Sequence, residues 1–334
     1  MKHIRCLIIC SILLLAPLIT TTNAFEDPLF TPVDVDLSDL GYNQTNKIAA
    51  QWWYFDAVFS NNYSLVVGIF HFSIASKIGF FFIRINLYEN GHFRQRSYQF
   101  IPFKQITYST DKPELSYLGS QIYVAEYDTN QKINVHLNVT IVETQVNLTF
   151  SELTQGWKGY TGRGWWSCPL PKANVTGTLR IHDNYIPVTG KGYHEHAWLV
   201  QSMHRNWKWG KFSSTSTNTI FSKNMKNFRE EDIFLVVINT DDHNYTSINR
   251  NNISYQHIDY IFDHGKLIPI KSKLEINQHP IYVNVTFSAK TLHFTSLILL
   301  NYWRFHMQIT GYITVNNQTE EINDKQIMEY LYLF

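Results

Sequence analysis

A segment near the middle of the chain recurs at its end. Gly177-Thr-Leu-Arg-Ile181 is echoed by Gly311-Tyr-Ile-Thr-Val315 at an offset of 134 residues, and the match continues without a gap. Val188 meets Ile322, Lys191 meets Lys325, and Glu195 meets Glu329. Self-similarity over so long a period points to repeated structural units. In each copy a strand-like run, a turn and a second run close a segment, so the simplest fold is two similar β units in tandem. Two copies suit two packed barrels better than a solenoid.

The rest of the chain agrees with an all-β fold. Runs rich in Trp, Phe, Val and Ile span Gln51 to Phe59, Ser64 to Ile74 and Gly79 to Tyr88, the residues that favour pleated, half-buried surfaces. Between Ile133 and Val142, Val135, Leu137, Val139 and Ile141 alternate with polar neighbours, the period of a strand with one buried face. Later runs cover Asp232 to Asn239, His257 to Phe262, Ile281 to Phe294 and Tyr302 to Val315. Asn90-Gly91, Asp183-Asn184, His264-Gly265 and Asn316-Asn317 are turn dipeptides. No strand–helix alternation appears, which disfavours a doubly wound α/β fold. Asn323 and Gln326 mimic a helix-capping pair, but the repeat predicts a strand there. Ser213 to Glu231 is the most polar interior stretch and predicts a long loop.

Composition narrows the function classes. Of 334 residues 15% are aromatic, and the formal net charge is +1. That balance excludes the electrostatic footprint of a nucleic-acid binder, and the aromatic content disfavours disorder. Residues 1–24 read as a cleaved secretory signal: Lys2 and Arg5, an apolar Leu7–Ile19 stretch, and the small-residue site Thr22-Asn23-Ala24. The mature chain then starts near Phe25, with a first barrel over 25–200 and a second over 201–334. It is expected to be secreted or extracytoplasmic, soluble or attached peripherally to a membrane surface. Cys6 and Cys10 leave with the signal, so Cys168 has no intrachain partner. Nine N-x-S/T sequons, at Asn43, Asn62, Asn138, Asn147, Asn174, Asn244, Asn252, Asn284 and Asn317, fit a glycosylated exported protein.

Chemistry concentrates in three clusters. In Gln51-Trp-Trp-Tyr-Phe-Asp56, strand alternation sends Gln51, Trp53 and Phe55 one way and Trp52, Tyr54 and Asp56 the other. In Gly190-Lys-Gly-Tyr-His-Glu-His-Ala-Trp198, His194, His196 and Trp198 share one face, with Tyr193 and Glu195 opposite. In Trp207-Lys-Trp-Gly210 the two Trp share a face. A His-x-His pair can ligate zinc, but no companion ligand motif is present, so neither metal nor cofactor is expected. Trp52, Trp53, Trp198, Trp207 and Trp209 could build an aromatic wall for a large apolar ligand; they could equally be core.

These clusters, in this order, resemble the carotenoid 1,2-hydratases (hydroxyneurosporene synthases) and their AttH-like relatives. The family pattern runs approximately E-W-W-Y-F-D, then G-x-G-Y-H-D/E-H-x-W-G, then W-x-W-G. The resemblance implies two lipocalin-like (calycin) β-barrels. It also implies hydration of an isolated double bond in an isoprenoid or other apolar lipid. Some fungal relatives look like pericyclase catalysts, so the scaffold does not fix one reaction. Here the opening Glu is Gln51, Leu199 replaces a Gly, and Ala197 replaces a frequent Asn. On this reading Asp56 or Glu195 is the acid, with Asp56 slightly favoured. His194 or His196 handles the water. Gln51, Trp53, Tyr54, Tyr193, Trp198, Trp207 and Trp209 line the ligand path. The rival expectation is a lipocalin-like protein that binds an apolar or isoprenoid ligand without turnover.

Overall fold

A computed structural model describes residues 30–45, 48–75, 78–109, 112–161, 164–200, 206–225, 233–240, 244–297 and 300–333. The expected signal segment and the start at Phe25 lie outside the described residues.

Two antiparallel sheets carry the fold. The first comprises β1 (Val33–Asp34), β2 (Ala49–Phe59), β3 (Tyr63–Ala75), β4 (Ile78–Glu89), β5 (His92–Pro102), β6 (Ile106–Tyr108), β7 (Glu114–Tyr117), β8 (Ser120–Tyr127), β9 (Ile133–Ile141), β10 (Thr144–Glu152), β11 (Trp157–Tyr160), β12 (Trp165–Ile181) and β13 (Asn184–Val200). The second comprises β14 (Asn206–Ser213), β15 (Thr217–Met225), β16 (Ile233–Thr240), β17 (Tyr245–Ser247), β18 (Ile253–Asp263), β19 (Lys266–Gln278), β20 (Ile281–Leu297), β21 (Leu300–Val315) and β22 (Gln318–Leu333). The main path of the first sheet is β5-β4-β3-β2-β13-β12-β10-β9-β8-β7-β6, and that of the second is β17-β16-β15-β14-β22-β21-β20-β19-β18. The first forms a nearly closed barrel and the second a half-barrel, the tandem lipocalin-like arrangement expected from the sequence.

Each sheet wraps its own core. Trp53, Phe55, Ile69, Phe81, Ile83, Val135, Leu137 and Phe150 pack inside the first, and Phe212, Phe221, Phe287, Trp303 and Ile309 inside the second. A third apolar cluster, with Tyr54, Tyr193, Trp166, Trp209 and Ile327, joins residues from both sheets.

The internal echo is reproduced in register. Val188 pairs with Gly177 and Ile322 with Gly311. Both glycines have φ +147°, and a Cβ on either would meet a carbonyl oxygen, of Asn147 or Asn284, at 2.1 Å. Gly177→Ala is therefore expected to destabilise the fold by about 1–3 kcal/mol, as is Gly311→Ala, measured by urea unfolding. The echo also settles the C-terminus as a strand, because Asn323–Leu331 pairs with β21 throughout.

One expectation fails. The polar stretch Ser213 to Glu231 is not a loop up to Met225, since β15 pairs with both β14 and β16. Thr217 and Thr219 are β-branched and buried there, so strand packing outweighs polar composition.

Candidate functional site

Strand alternation sorts the sequence motifs onto two sides of the first sheet. Inside the barrel lie Gln51 and Trp53 of β2 with His194 and His196 of β13. His194 stacks on Phe55 at 4.1 Å, and its Nδ1 lies 3.0 Å from the Tyr54 carbonyl oxygen. His196 stacks on Trp53, with Nδ1 2.6 Å from the Asp39 carbonyl. Trp53 Nε1 and the Tyr123 hydroxyl both donate to the Leu40 carbonyl. Gln51 exchanges hydrogen bonds with the Asn43 backbone. These side chains thus fasten the segment around the short 3₁₀ helix Leu37–Leu40 to one end of the barrel. Burial pushes His194 down to about 3 and His196 down to about 4, against their carbonyl contacts. Both rings are therefore neutral at pH 7. Trp198 stacks on Trp165 and His196.

His71 belongs to the same group. It is buried, with Nδ1 3.5 Å from both the Tyr42 hydroxyl and Gln51 Nε2, and burial lowers it to about 4. Sequence reading missed it, because one His in the apolar run of β3 gives no local signal.

On the outer side, β2 and β13 turn Trp52, Tyr54, Asp56, Tyr193 and Glu195 toward the second barrel. Asp56 and Lys211 form a buried ion pair that joins β2 to β14. Burial pushes the Asp56 carboxyl up, against the Lys211 ammonium. Lys211 also lies over the rings of Tyr193 and Trp209, 5.4 Å from each. The Tyr54 hydroxyl donates to Glu329 Oε1 at 2.7 Å. Arg304 donates to the same oxygen through Nε at 3.1 Å and Nη2 at 2.7 Å. Glu195 accepts from Trp52 Nε1 at 3.0 Å, Trp166 Nε1 at 2.8 Å and the Tyr193 hydroxyl at 2.6 Å.

The repeat explains this symmetry. Glu195 pairs with Tyr54 as Glu329 pairs with Trp209. In that register Trp52 corresponds to Trp207, Tyr54 to Trp209, and Asp56 to Lys211. The two sheets meet through equivalent strands, so Asp56 finds its own counterpart across the interface.

The two glutamates sit in opposed environments. Burial pushes the Glu195 carboxyl up, the Tyr193, Trp52 and Trp166 hydrogen bonds pull against it, and the Glu329 charge adds to the rise. At Glu329 burial also acts upward, but Arg304, with hydrogen bonds from Tyr302 and Tyr54, overcomes it and holds the carboxyl below its usual range. Opposed shifts in neighbouring carboxyls are how acid and base roles are divided at one site.

The anticipated single wall of five Trp is not formed. Trp53 and Trp198 both stack on His196, whereas Trp52, Trp207 and Trp209 lie at the interface. The sheet likewise separates Asp56 and Glu195 from His194 and His196, because successive side chains on a strand face opposite ways. Among the described residues, no three His, Cys, Asp or Glu side chains are grouped to hold a metal ion. Cys168 is buried. Of the sequons, Asn62, Asn138, Asn147, Asn174, Asn244 and Asn317 are exposed, and Asn43, Asn252 and Asn284 are partly buried. Glu329 was visible in the sequence only as the echo of Glu195. Lys211 and Arg304 gave no signal, since their partners lie 155 and 25 residues away.

No family model matches the chain, and neither does any curated protein. Solved structures do. A putative AttH, NE1406, from Nitrosomonas europaea aligns at TM-score 0.64 and 11% identity over 95% of this chain and 99% of that one. Kievitone hydratase from Nectria haematococca aligns at TM-score 0.59 and 14% identity, over 94% of this chain and 96% of that one. CghA with Sch210972 aligns at TM-score 0.61 and 12% identity, over 92% of this chain and 99% of that one. The chain therefore shares, over nearly its whole described length, the double-barrel fold of AttH and of the structurally similar kievitone hydratase and CghA.

Proposed function

We propose that the chain is a secreted hydratase that adds water to an isolated double bond of an isoprenoid or other apolar lipid at the interface of its two barrels. The observation that carries this reading is the Glu195–Glu329 arrangement: two carboxyls in opposed environments among Trp and Tyr rings. Kievitone hydratase, a hydratase by name, has the same fold, which supports the assignment.

In the proposed step, the Glu195 carboxylic acid gives its proton to the less substituted alkene carbon. The π electrons form the new C–H bond, leaving a cation on the more substituted carbon. The faces of Trp52 and Trp209 stabilise that cation by about 2 kcal/mol each when desolvated. Water adds to the cation, and its surplus proton passes to the Glu329 carboxylate. Glu329 then releases that proton to solvent and Glu195 takes one up from it, so the net reaction is alkene plus water to tertiary alcohol. Glu195 is preferred to Asp56 because Asp56 is occupied by Lys211. His194 and His196 are assigned to holding the barrel end.

A second reading, a binding protein without turnover, draws on Gln51. The amide stands where the resembling family carries an acid, and it is clasped to the Asn43 backbone. Incubating the chain from Phe25 onward with a lipid extract, followed by native mass spectrometry, separates the two. A retained lipid that gains one water, with the gain lost in Glu195→Gln, is the expected outcome. A retained but unchanged lipid would favour the binding reading, and no retained lipid would overturn both.

A further inference from the structure

The outer face of the first barrel extends beyond Glu195, Tyr54 and Trp52 into side chains that the proposed reaction does not use. Glu195, Tyr54, Gly68, Arg84 and Tyr98 are successive cross-strand partners over β13, β2, β3, β4 and β5. The adjacent row holds Trp52, Phe70, Phe82 and Phe100, paired in the same way. Phe72 and Phe80 continue it one step further. None of these five Phe belongs to the barrel core, and all five are half-buried. Phe82 and Phe100 lie 4.7 Å apart, and Phe72 and Phe80 5.2 Å. A contiguous aromatic surface thus begins at Trp52, whose indole holds Glu195, and runs outward over three strands.

Arg84 stands at the inner edge of that surface. It is 7% exposed. Its guanidinium lies over the rings of Phe70 and Tyr302, 5.9 and 5.5 Å from their centres. Its buried Nε has no hydrogen-bond partner, and no hydrogen bond or ion pair joins Arg84 to another described residue. Its neighbours do not balance it. Arg96 is satisfied by Asn86, His293 and Thr295, while Arg304 takes Glu329. A largely buried arginine with an unpartnered Nε and no anion beside it is costly, and an arginine fork matches the planar geometry of a carboxylate.

We infer that Arg84 is the head-group site for an anionic amphiphile, a long-chain carboxylic acid whose tail lies on Phe70, Phe82, Phe100, Phe72 and Phe80. The occupant follows from complementarity: a cation with no anion among the described residues, beside a half-buried aromatic surface, fits an acid on an apolar chain. The inference builds on the barrel interface as the ligand site. It also narrows the substrate. Arg84 is three strands from Glu195, about 14 Å at ordinary strand spacing. A chain anchored there presents a double bond remote from its head group.

The test compares oleate, methyl oleate and oleyl alcohol by isothermal titration to the full chain. Oleate is expected to bind about tenfold or more tightly than the ester or the alcohol, the worth of one charge-assisted hydrogen bond. Arg84→Met should abolish that preference and Arg84→Lys retain part of it. Phe82→Ser should weaken all three ligands alike. Equal affinity of the wild-type chain for oleate and its ester would overturn the inference, with no variant required. So would an Arg84→Met chain that keeps the preference, or inorganic phosphate competing with oleate as well as decanoate does. The readout is binding, so loss of the oleate preference overturns the head-group site alone; the hydratase reading keeps its own lipid test, because oleate's disubstituted double bond lacks the more substituted carbon that the proposed step requires.

Discussion

Replacing Lys211 by Met is expected to destabilise the protein by about 3–5 kcal/mol at pH 7, the usual cost of stranding one partner of a buried ion pair. Asp56 and Lys211 are 0% and 3% exposed, and they join the two barrels. Without the ammonium, Asp56 must fold as the neutral acid or as an unpaired charge. The double variant Asp56→Asn with Lys211→Met leaves no charge behind and is expected to recover most of the loss. The pH dependence gives an independent check. In Lys211→Met the Asp56 carboxyl rises further above its unfolded value, so the deficit should shrink on acidification. Equilibrium urea unfolding of the three proteins at two pH values measures each term. A Lys211→Met chain as stable as wild type would mean that the pair contributes nothing to barrel docking.

Acid lability is the second large effect. Burial lowers His71, His196 and His306 to about 4 and His194 to about 3. Their stabilising contribution is complete above the unfolded value near 6.5 and is lost as pH falls toward 4. Each contributes a slope of about 1.4 kcal/mol per pH unit in that window. Asp56 and Glu195, whose carboxyls are pushed up, act the other way where they titrate. Burial lowers His293 to about 4 and His257 to about 3 as well, so the histidines outweigh the two carboxyls and stability should fall steeply below pH 6, against a total of about 5–15 kcal/mol. Cooperative unfolding should therefore be under way before pH 4, followed by circular dichroism. Replacing His194 by Phe should flatten the slope by one histidine's share. Constant stability from pH 7 to pH 5 would show that these rings are not held neutral in the fold.

Much of this architecture was legible in the residues. The offset between Gly177 and Gly311 survives as an identical backbone conformation and an identical register. Alternation in Gln51–Asp56 and in Tyr193–Trp198 assigned the two faces correctly, and it already set Glu195 against the two histidines. What alternation could not supply was the partner across the interface. Lys211 follows directly after the run read for its Trp pair, Trp207–Gly210, and its counterpart Asp56 is 155 residues away. Arg84 lies within an apolar strand, where only the folded structure shows that no anion accompanies it among the described residues. The loop expected over Ser213–Glu231 failed over Thr217–Met225, its last residues 226–231 lying outside the described residues, because Thr serves polar turns and β-strands alike, and only pairing with β14 and β16 decides between them.

The central claim is that Glu195 acts as a protonated acid at the barrel interface. The most direct test is the rate of water addition against pH, within the range where the fold is stable, for the wild-type chain and Glu195→Gln. Because burial holds Glu195 protonated above the usual carboxyl range, the rate should fall as pH rises through that raised value. Glu195→Gln should lower the rate by about 10²–10⁴-fold and abolish the limb. A Glu195→Gln chain that keeps both the rate and the alkaline limb of the wild type would contradict the account.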